Sequence, residues 1–334
     1  MKILVTGGAG FIGSAFIRYM LRTDAEAEIV NYDALTYAGN LDNLREVEKN
    51  PRYRFVRGDI GVMDEILPAL SGVDAVVNFA AESHNDRGVA DPGVFFRTNV
   101  IGTQVLAEAC RQAGNIRLHH ISTCEVFGDM ALDDPSAFTE TSPRLPRTPY
   151  NASKAASDHV VMSYHHTFGL PVTMSHCCNN YGSHQFPEKL IPLFSVNAME
   201  DKPLPVMKSS QNRREWIHAD DHSAAVALIL EKGKIGESYN IGTGVEKSVE
   251  DITAVVLETL GKPDSLKQSV PDRQGHDRRY LLDSSKLRRE LGWTPSIGFE
   301  RGIRETVLWY RDNPEWWKRV KSGAYAQVRI SSHA

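Results

Sequence analysis

The sequence predicts an α/β fold: a doubly wound parallel sheet with a smaller, interleaved α/β lobe. Three observations predict it. Short apolar strands alternate with helical patterns through the first half, the signature of βαβ units with right-handed crossovers. A glycine-rich turn separates the first strand from the first helix. After Gly182 the rhythm breaks into short strand-like pieces and loops rich in Pro, Ser and charge, such as Lys202–Pro205 and Lys208–Arg214.

Taken in order, Lys2–Thr6 is the first strand and Phe11–Leu21 the first helix. Strands follow at Ala27–Tyr32, Tyr53–Val56 and Ala75–Phe79. A long helical stretch, Phe95–Ala113, leads to a buried strand at Leu118–Ile121. Tyr150–Phe168 is the next helix and Val172–His176 the next strand. Helical patterns return at Asp220–Leu230, Val249–Leu260 and Arg301–Asn313. The 334 residues are many for one core, so two intimate domains are expected. They are a dinucleotide-binding half over 1–180, to which about 215–236 returns, and a second lobe over 181–334.

Composition narrows the function classes. Hydrophobic content of 41% and charge of 24% are ordinary for a soluble globular protein. A net charge of −4 gives no reason to expect nucleic acid or an anionic membrane as partner. Four cysteines, Cys110, Cys124, Cys177 and Cys178, show no metal-clip spacing, so a reducing cytoplasm is expected. The chain opens directly on a strand, so no signal peptide is expected, and no apolar run approaches a membrane span.

Gly7, Gly10 and Gly13 have G-x-x-G-x-x-G spacing. Glycines there let the backbone turn tightly and approach a pyrophosphate, which then sits on the helix N-terminus, as in a Rossmann-type fold. Asp33 ends the next strand about 20 residues on, where a carboxylate hydrogen-bonds ribose hydroxyls and repels a 2′-phosphate. NAD is therefore the expected cofactor, in preference to NADP. Asp59, after the third strand, is placed to reach the adenine.

Ile121–Gly128 reads Ile-Ser-Thr-Cys-Glu-Val-Phe-Gly, and Tyr150-Asn-Ala-Ser-Lys154 follows after a proline-rich loop. Tyr150 and Lys154 are four apart, hence on one helix face. A phenol titrates near ~10 in water. A neighbouring ammonium and a nicotinamide cation would lower that value, so Tyr150 could take a hydroxyl proton while hydride leaves the same carbon.

These residues resemble those of the extended short-chain dehydrogenases/reductases. More narrowly, Ala80-Ala-Glu-Ser-His84, Asp86-Arg87, Cys178-Asn-Asn-Tyr-Gly182, Pro187–Pro192, Arg214-Glu-Trp216 and Gly275–Tyr280 resemble motifs of dTDP-glucose 4,6-dehydratases over nearly the whole chain. The resemblance implies C4 oxidation by bound NAD, loss of water across C5 and C6, and hydride return to C6, in the service of deoxysugar synthesis. It implies Thr123, Glu125, Tyr150 and Lys154 as catalytic residues, with Glu125 the C5 base. It adds Phe11, Ile12, Ile60, Ala80 and Ala81 to the NAD site. On the sugar-nucleotide side it implies Ser83, His84, Asn180, Glu188, Lys189, Arg214, Asn240, Arg273 and His276. It also implies a homodimer through the Tyr-Lys helix.

Two departures stand out. Cys124 occupies the place where the family usually has Asp as the acid for elimination. A thiol near ~8.5 is protonated at neutral pH and can donate, so Cys124 is a candidate acid, with Tyr150 or water as alternatives. Met207-Lys208-Ser209-Ser210 replaces the family's base-stacking segment, which leaves UDP as an alternative to dTDP. Related decarboxylases, 4-epimerases and 5,6-dehydratases are the competing activities. No metal is expected, because His218 and His222 lack the adjoining Glu of a zinc helix. His119-His120 and His165-His166 are expected as partly exposed packing residues, and Trp309-Tyr310 and Trp316-Trp317 as lobe-closing core or an oligomer face.

Overall fold

Six apolar runs expected as strands pair side by side in one sheet. They are β1 Lys2–Thr6, β2 Glu28–Asp33, β3 Tyr53–Arg57, β4 Ala75–Asn78, β5 Arg117–Thr123 and β6 Val172–Cys177. The structure, a computed structural model, describes residues 1–83, 91–272 and 277–325. Later strands are β7 Asn179–Tyr181, β8 Leu204–Met207, β9 Arg213–His218, β10 Ser238–Ile241, β11 Glu246–Ser248 and β12 Lys267–Val270. The central sheet runs β10-β6-β5-β4-β1-β2-β3, with parallel pairing throughout. Thus the segment that returns to the sheet extends past residue 236 and adds a strand at 238–241.

Parallel strands covered on both faces read as continuous apolar runs. In β1, Ile3 and Val5 join one apolar layer and Leu4 the other. The helices Phe11–Thr23 and Ala219–Lys232 cover the first face, and Thr103–Gln112 and Pro149–Phe168 the second. Strand order reverses at β1 and β4. That reversal opens a crevice beyond the carboxyl ends of the strands, where ligands bind in such sheets.

The Tyr-Lys helix has clear stops. Thr148 caps its start by accepting from Asn151 N, Pro149 occupies the first turn, and Gly169 ends it at φ +70°. The long helix expected before β5 is instead a π-helical turn, Phe96–Gly102, continued by Thr103–Gln112. The wide turn is held by buried Asn99, which bonds across to Glu82 and Ser153.

The second lobe carries a three-stranded sheet, β11-β9-β7, and a parallel pair, β12-β8. Its core gathers Tyr181, Phe194, Trp216, Phe299 and Ile303. Tyr310 and Trp317 are buried, and Trp316 Nε1 donates to Asn43 Oδ1 of the first half at 3.1 Å. These aromatics therefore close the lobe. His119 and His120 differ from expectation: both are fully buried on β5, because neighbouring Thr, Ser and Asn side chains satisfy their ring nitrogens. His222 is buried edge-on to Phe79.

Candidate active site

The crevice holds a cavity of about 360 Å³. Gly7 forms its floor at φ +65°, where a Cβ would sit 2.7 Å from Ala80 N. A Cβ on Gly13 would meet Gly7 O at 2.4 Å. Both positions exclude a side chain, so the helix N-terminus stays open to a pyrophosphate. Gly10, Phe11, Ile12, Ile60, Ala80 and Ala81 line the same cavity.

Asp33 also lines it, and its carboxylate is partly spoken for. Oδ2 accepts from Ala9 N at 2.9 Å and Oδ1 from Leu35 N at 2.7 Å. Each carboxylate oxygen can accept more than one bond, so Asp33 orients the glycine turn and can still receive ribose hydroxyls. Leu35 takes φ +55°, a strained position that the sequence did not flag. Asp59 lines the cavity with Oδ1 accepting from Gly61 N. Buried oxygens of cavity residues, among them Ser122 Oγ, Asn180 Oδ1 and Gln185 Oε1, have no protein partner among the described residues. The glycine cradle, the acidic strand end and these orphaned atoms suit a polar dinucleotide.

At the inner wall, β5 ends at Thr123 and passes into one tight turn, Cys124–Phe127. The change of direction sorts the side chains. Thr123 and Glu125 face the cavity, while Cys124, Val126 and Phe127 enter the core. Thr123 Oγ1 accepts from Glu125 N at 3.3 Å, which leaves its own proton to donate. Tyr150 and Lys154 complete this wall. Lys154 Nζ donates to Ile121 O at 2.8 Å. Burial lowers the lysine to about 8, opposed by Asp158. The Tyr150 phenol is pushed well up, first by burial and then by the charge of Glu125. The lowering expected of this phenol rests on the nicotinamide cation as well as on Lys154.

Two expectations, those for Cys124 and Asn240, need correction, and Arg214 takes a place of its own. Cys124 is 2% exposed and lies off the cavity, packed with core residues, and burial pushes its thiol well up. Its placement does not suit an acid for the reaction. Arg214 also lies off the cavity. It stacks on Tyr280 at 4.6 Å and gives its donors to the main-chain oxygens of Arg213, Asp277 and Arg278. Asn240 is fully buried in β10, where it donates to Phe138 O and Asp283 O, so it braces the lobe junction. Ser83, Asn180, Glu188 and Lys189 do line the cavity. His84, Arg273 and His276 lie outside the described residues.

Asn99 was missed by sequence reasoning. Its Nδ2 reaches Ser153 Oγ at 2.8 Å and Glu82 O at 3.0 Å, fastening the Tyr-Lys helix to the end of β4. Only the π-helical turn reveals it, and such turns favour functional sites. Trp316 was read as packing, yet it also contributes to the cavity wall.

The family model described as GDP-mannose 4,6 dehydratase matches residues 4–306. The dTDP-glucose 4,6-dehydratase of Neisseria meningitidis serogroup B is 46% identical over 99% of both chains. The crystal structure of DesIV, a dTDP-glucose 4,6-dehydratase of Streptomyces venezuelae holding NAD, superposes with a TM-score of 0.92 at 48% identity, covering 96% of this chain and 100% of that one. A UDP-glucose 4-epimerase of Thermus thermophilus in complex with NAD is more distant, at 30% identity and a TM-score of 0.85 over 94% and 100% of the two chains. With its glycine cradle and its Thr123, Glu125, Tyr150 and Lys154 wall, the chain belongs to the dTDP-glucose 4,6-dehydratase family of extended short-chain dehydrogenases/reductases.

Proposed function

We infer that this protein is an NAD-dependent nucleotide-sugar 4,6-dehydratase that converts dTDP-glucose, or a close nucleotide hexose, to the 4-keto-6-deoxy sugar. The observation that carries the reading is the convergence of Thr123, Glu125, Tyr150 and Lys154 on one cavity beside the glycine cradle. NAD, when bound, accepts hydride from C4 and returns it to C6. Gly7, Gly10, Gly13 and Asp33 would hold it.

The chain's own groups handle protons. Thr123 donates its hydroxyl hydrogen to the C4 oxygen. Tyr150 takes the C4 hydroxyl proton, with the Lys154 ammonium beside it, and gives that proton up when hydride adds to C6, so that C5 is protonated and C4 stays a ketone. Glu125 removes the C5 proton once the C4 carbonyl has acidified it. With Cys124 in the core, Glu125 is the one carboxyl on its turn that faces the cavity. We assign it both transfers: having gained the C5 proton, it supplies a proton to the departing C6 oxygen, and water leaves.

The division into a cofactor half over 1–180 and a sugar-nucleotide lobe over 181–334 follows from the same reading. A homodimer is supported by Phe96, Ile101 and Phe168, which are 42%, 57% and 50% exposed on and beside the helices of one face. A reducing cytoplasm suits four buried free cysteines. No helix among the described residues is long and apolar enough to cross a membrane.

The test is incubation with dTDP-glucose, UDP-glucose, GDP-mannose and UDP-glucuronate, with products followed by mass. Loss of one water without net NADH is expected, fastest with dTDP-glucose. An isobaric product or release of carbon dioxide would overturn the reading.

A further inference from the structure

Asp158 lies one helical turn beyond Lys154 on the same face of the Pro149–Phe168 helix, a spacing that sets Cβ atoms about 5–6 Å apart. It is 1% exposed. Groups from three other segments face its carboxylate. His176 Nε2 on β6 is 3.0 Å from Oδ2, His120 Nε2 on β5 is 3.7 Å from Oδ1, and Arg144 Nε, from the loop before the helix, is 3.4 Å from Oδ2.

A hydrogen-bond chain fixes the histidine protons. Thr6 Oγ1 donates to Asn78 Oδ1 at 2.6 Å, which turns the Asn78 amide nitrogen toward His120 Nδ1 at 3.2 Å. His120 Nδ1 must accept, so its proton is on Nε2, which donates to Ser157 Oγ at 3.1 Å. Ser157 passes its own proton to the main-chain oxygen of Lys154 at 2.8 Å. His120 is thus neutral. His176 also places its Nε2 proton on Asp158, since a carboxylate only accepts. Its buried Nδ1 has no partner among the described residues.

His120 does not cancel the charge of Asp158, and His176 gives it one hydrogen bond. Arg144 meets it at the rim, and Lys154, one turn earlier on the helix and beyond ion-pair contact, acts on it through space. Lys154 is itself faced by His120 on β5 and by the Cys177 thiol on β6, both neutral, while Ile121 O takes one of its protons.

We propose that Asp158 is a positioning residue for the dehydratase: a fixed negative charge, held between two buried histidines behind Lys154, that keeps the Lys154 ammonium charged at the cavity wall it shares with Tyr150. The proposal rests on the dehydratase reading for its effect on turnover, but not for the charge pairing itself.

The experiment is a pH titration of the Lys154 ε-carbon by NMR in lysine-labelled protein, assigned with Lys154→Arg, alongside pH profiles of kcat. In the parent, Lys154 should titrate below an ordinary lysine, at about 8, because it is buried. In Asp158→Asn it titrates lower by about one pH unit or more, and the alkaline limb of kcat moves with it. A folded Asp158→Asn in which Lys154 titrates as in the parent overturns the proposal, whatever happens to turnover. If the parent turns over no sugar nucleotide yet the titration shifts, the dehydratase reading falls and the pairing stands. Should Asp158→Asn not fold, Arg144→Gln is read instead. Loss of the outer cation raises the Lys154 titration, and an unmoved titration overturns the proposal.

Discussion

Lys154 Nζ donates to the main-chain oxygen of Ile121 at 2.8 Å, tying the helix that bears Tyr150 to the strand that ends in Thr123 and Glu125. Acid and base therefore share one rigid corner. Tyr150→Phe deletes the group assigned to the C4 proton and leaves this tie in place. Its kcat should fall by about 10²–10⁴-fold while bound NAD per chain, measured after denaturation, stays at the parent level.

Glu125 is assigned to the step after C4 oxidation, so Glu125→Gln should separate the two half-reactions. Mixing the variant with dTDP-glucose should build up enzyme-bound reduced nicotinamide, read by its absorbance, with no loss of water from the sugar. Rapid dehydration by this variant would remove Glu125 from its assigned role.

Cys124 sits in the core behind the wall. Cys124→Ala should keep kcat within about threefold of the parent and lower thermal stability modestly, since one small buried group is lost. A fall in kcat as deep as that of Tyr150→Phe would show that the thiol is the acid.

Glu215 is fully buried and accepts from Gly244 N at 2.6 Å and Leu282 N at 3.0 Å. Burial outweighs these donors and pushes it up from 4.5 to about 7. A carboxyl raised on folding binds more protons in the native state. Its contribution is whole below the unfolded value of 4.5 and is lost as pH rises through 7. The shift is worth on the order of 3 kcal/mol. Urea unfolding of the parent should therefore show stability declining from about pH 5 to pH 8, and Glu215→Gln should flatten that slope even though it lowers stability throughout.

The central sheet was legible because strands buried on both faces leave continuous apolar runs, such as Ile3-Leu4-Val5 in Lys2–Thr6 and Ala75-Val76-Val77 in Ala75–Asn78. The cofactor cradle was legible because the glycine spacing follows from steric exclusion at Gly7 and Gly13. Side-chain direction was not. Whether residue 124 or residue 125 faces the cavity is decided by a single tight turn after β5, and sequence spacing carries no such information. Asn240 was misplaced for a related reason: its partners, Phe138 and Asp283, lie far along the chain.

The central claim is that one cavity oxidises C4, expels water and returns the same hydride to C6. It is tested most directly with dTDP-glucose carrying deuterium at C4 and no added reductant. Mass spectrometry and NMR of the product should find the sugar one water lighter with the deuterium at C6. A product that keeps its deuterium at C4, that loses it to solvent, or that is unchanged in mass would contradict the account.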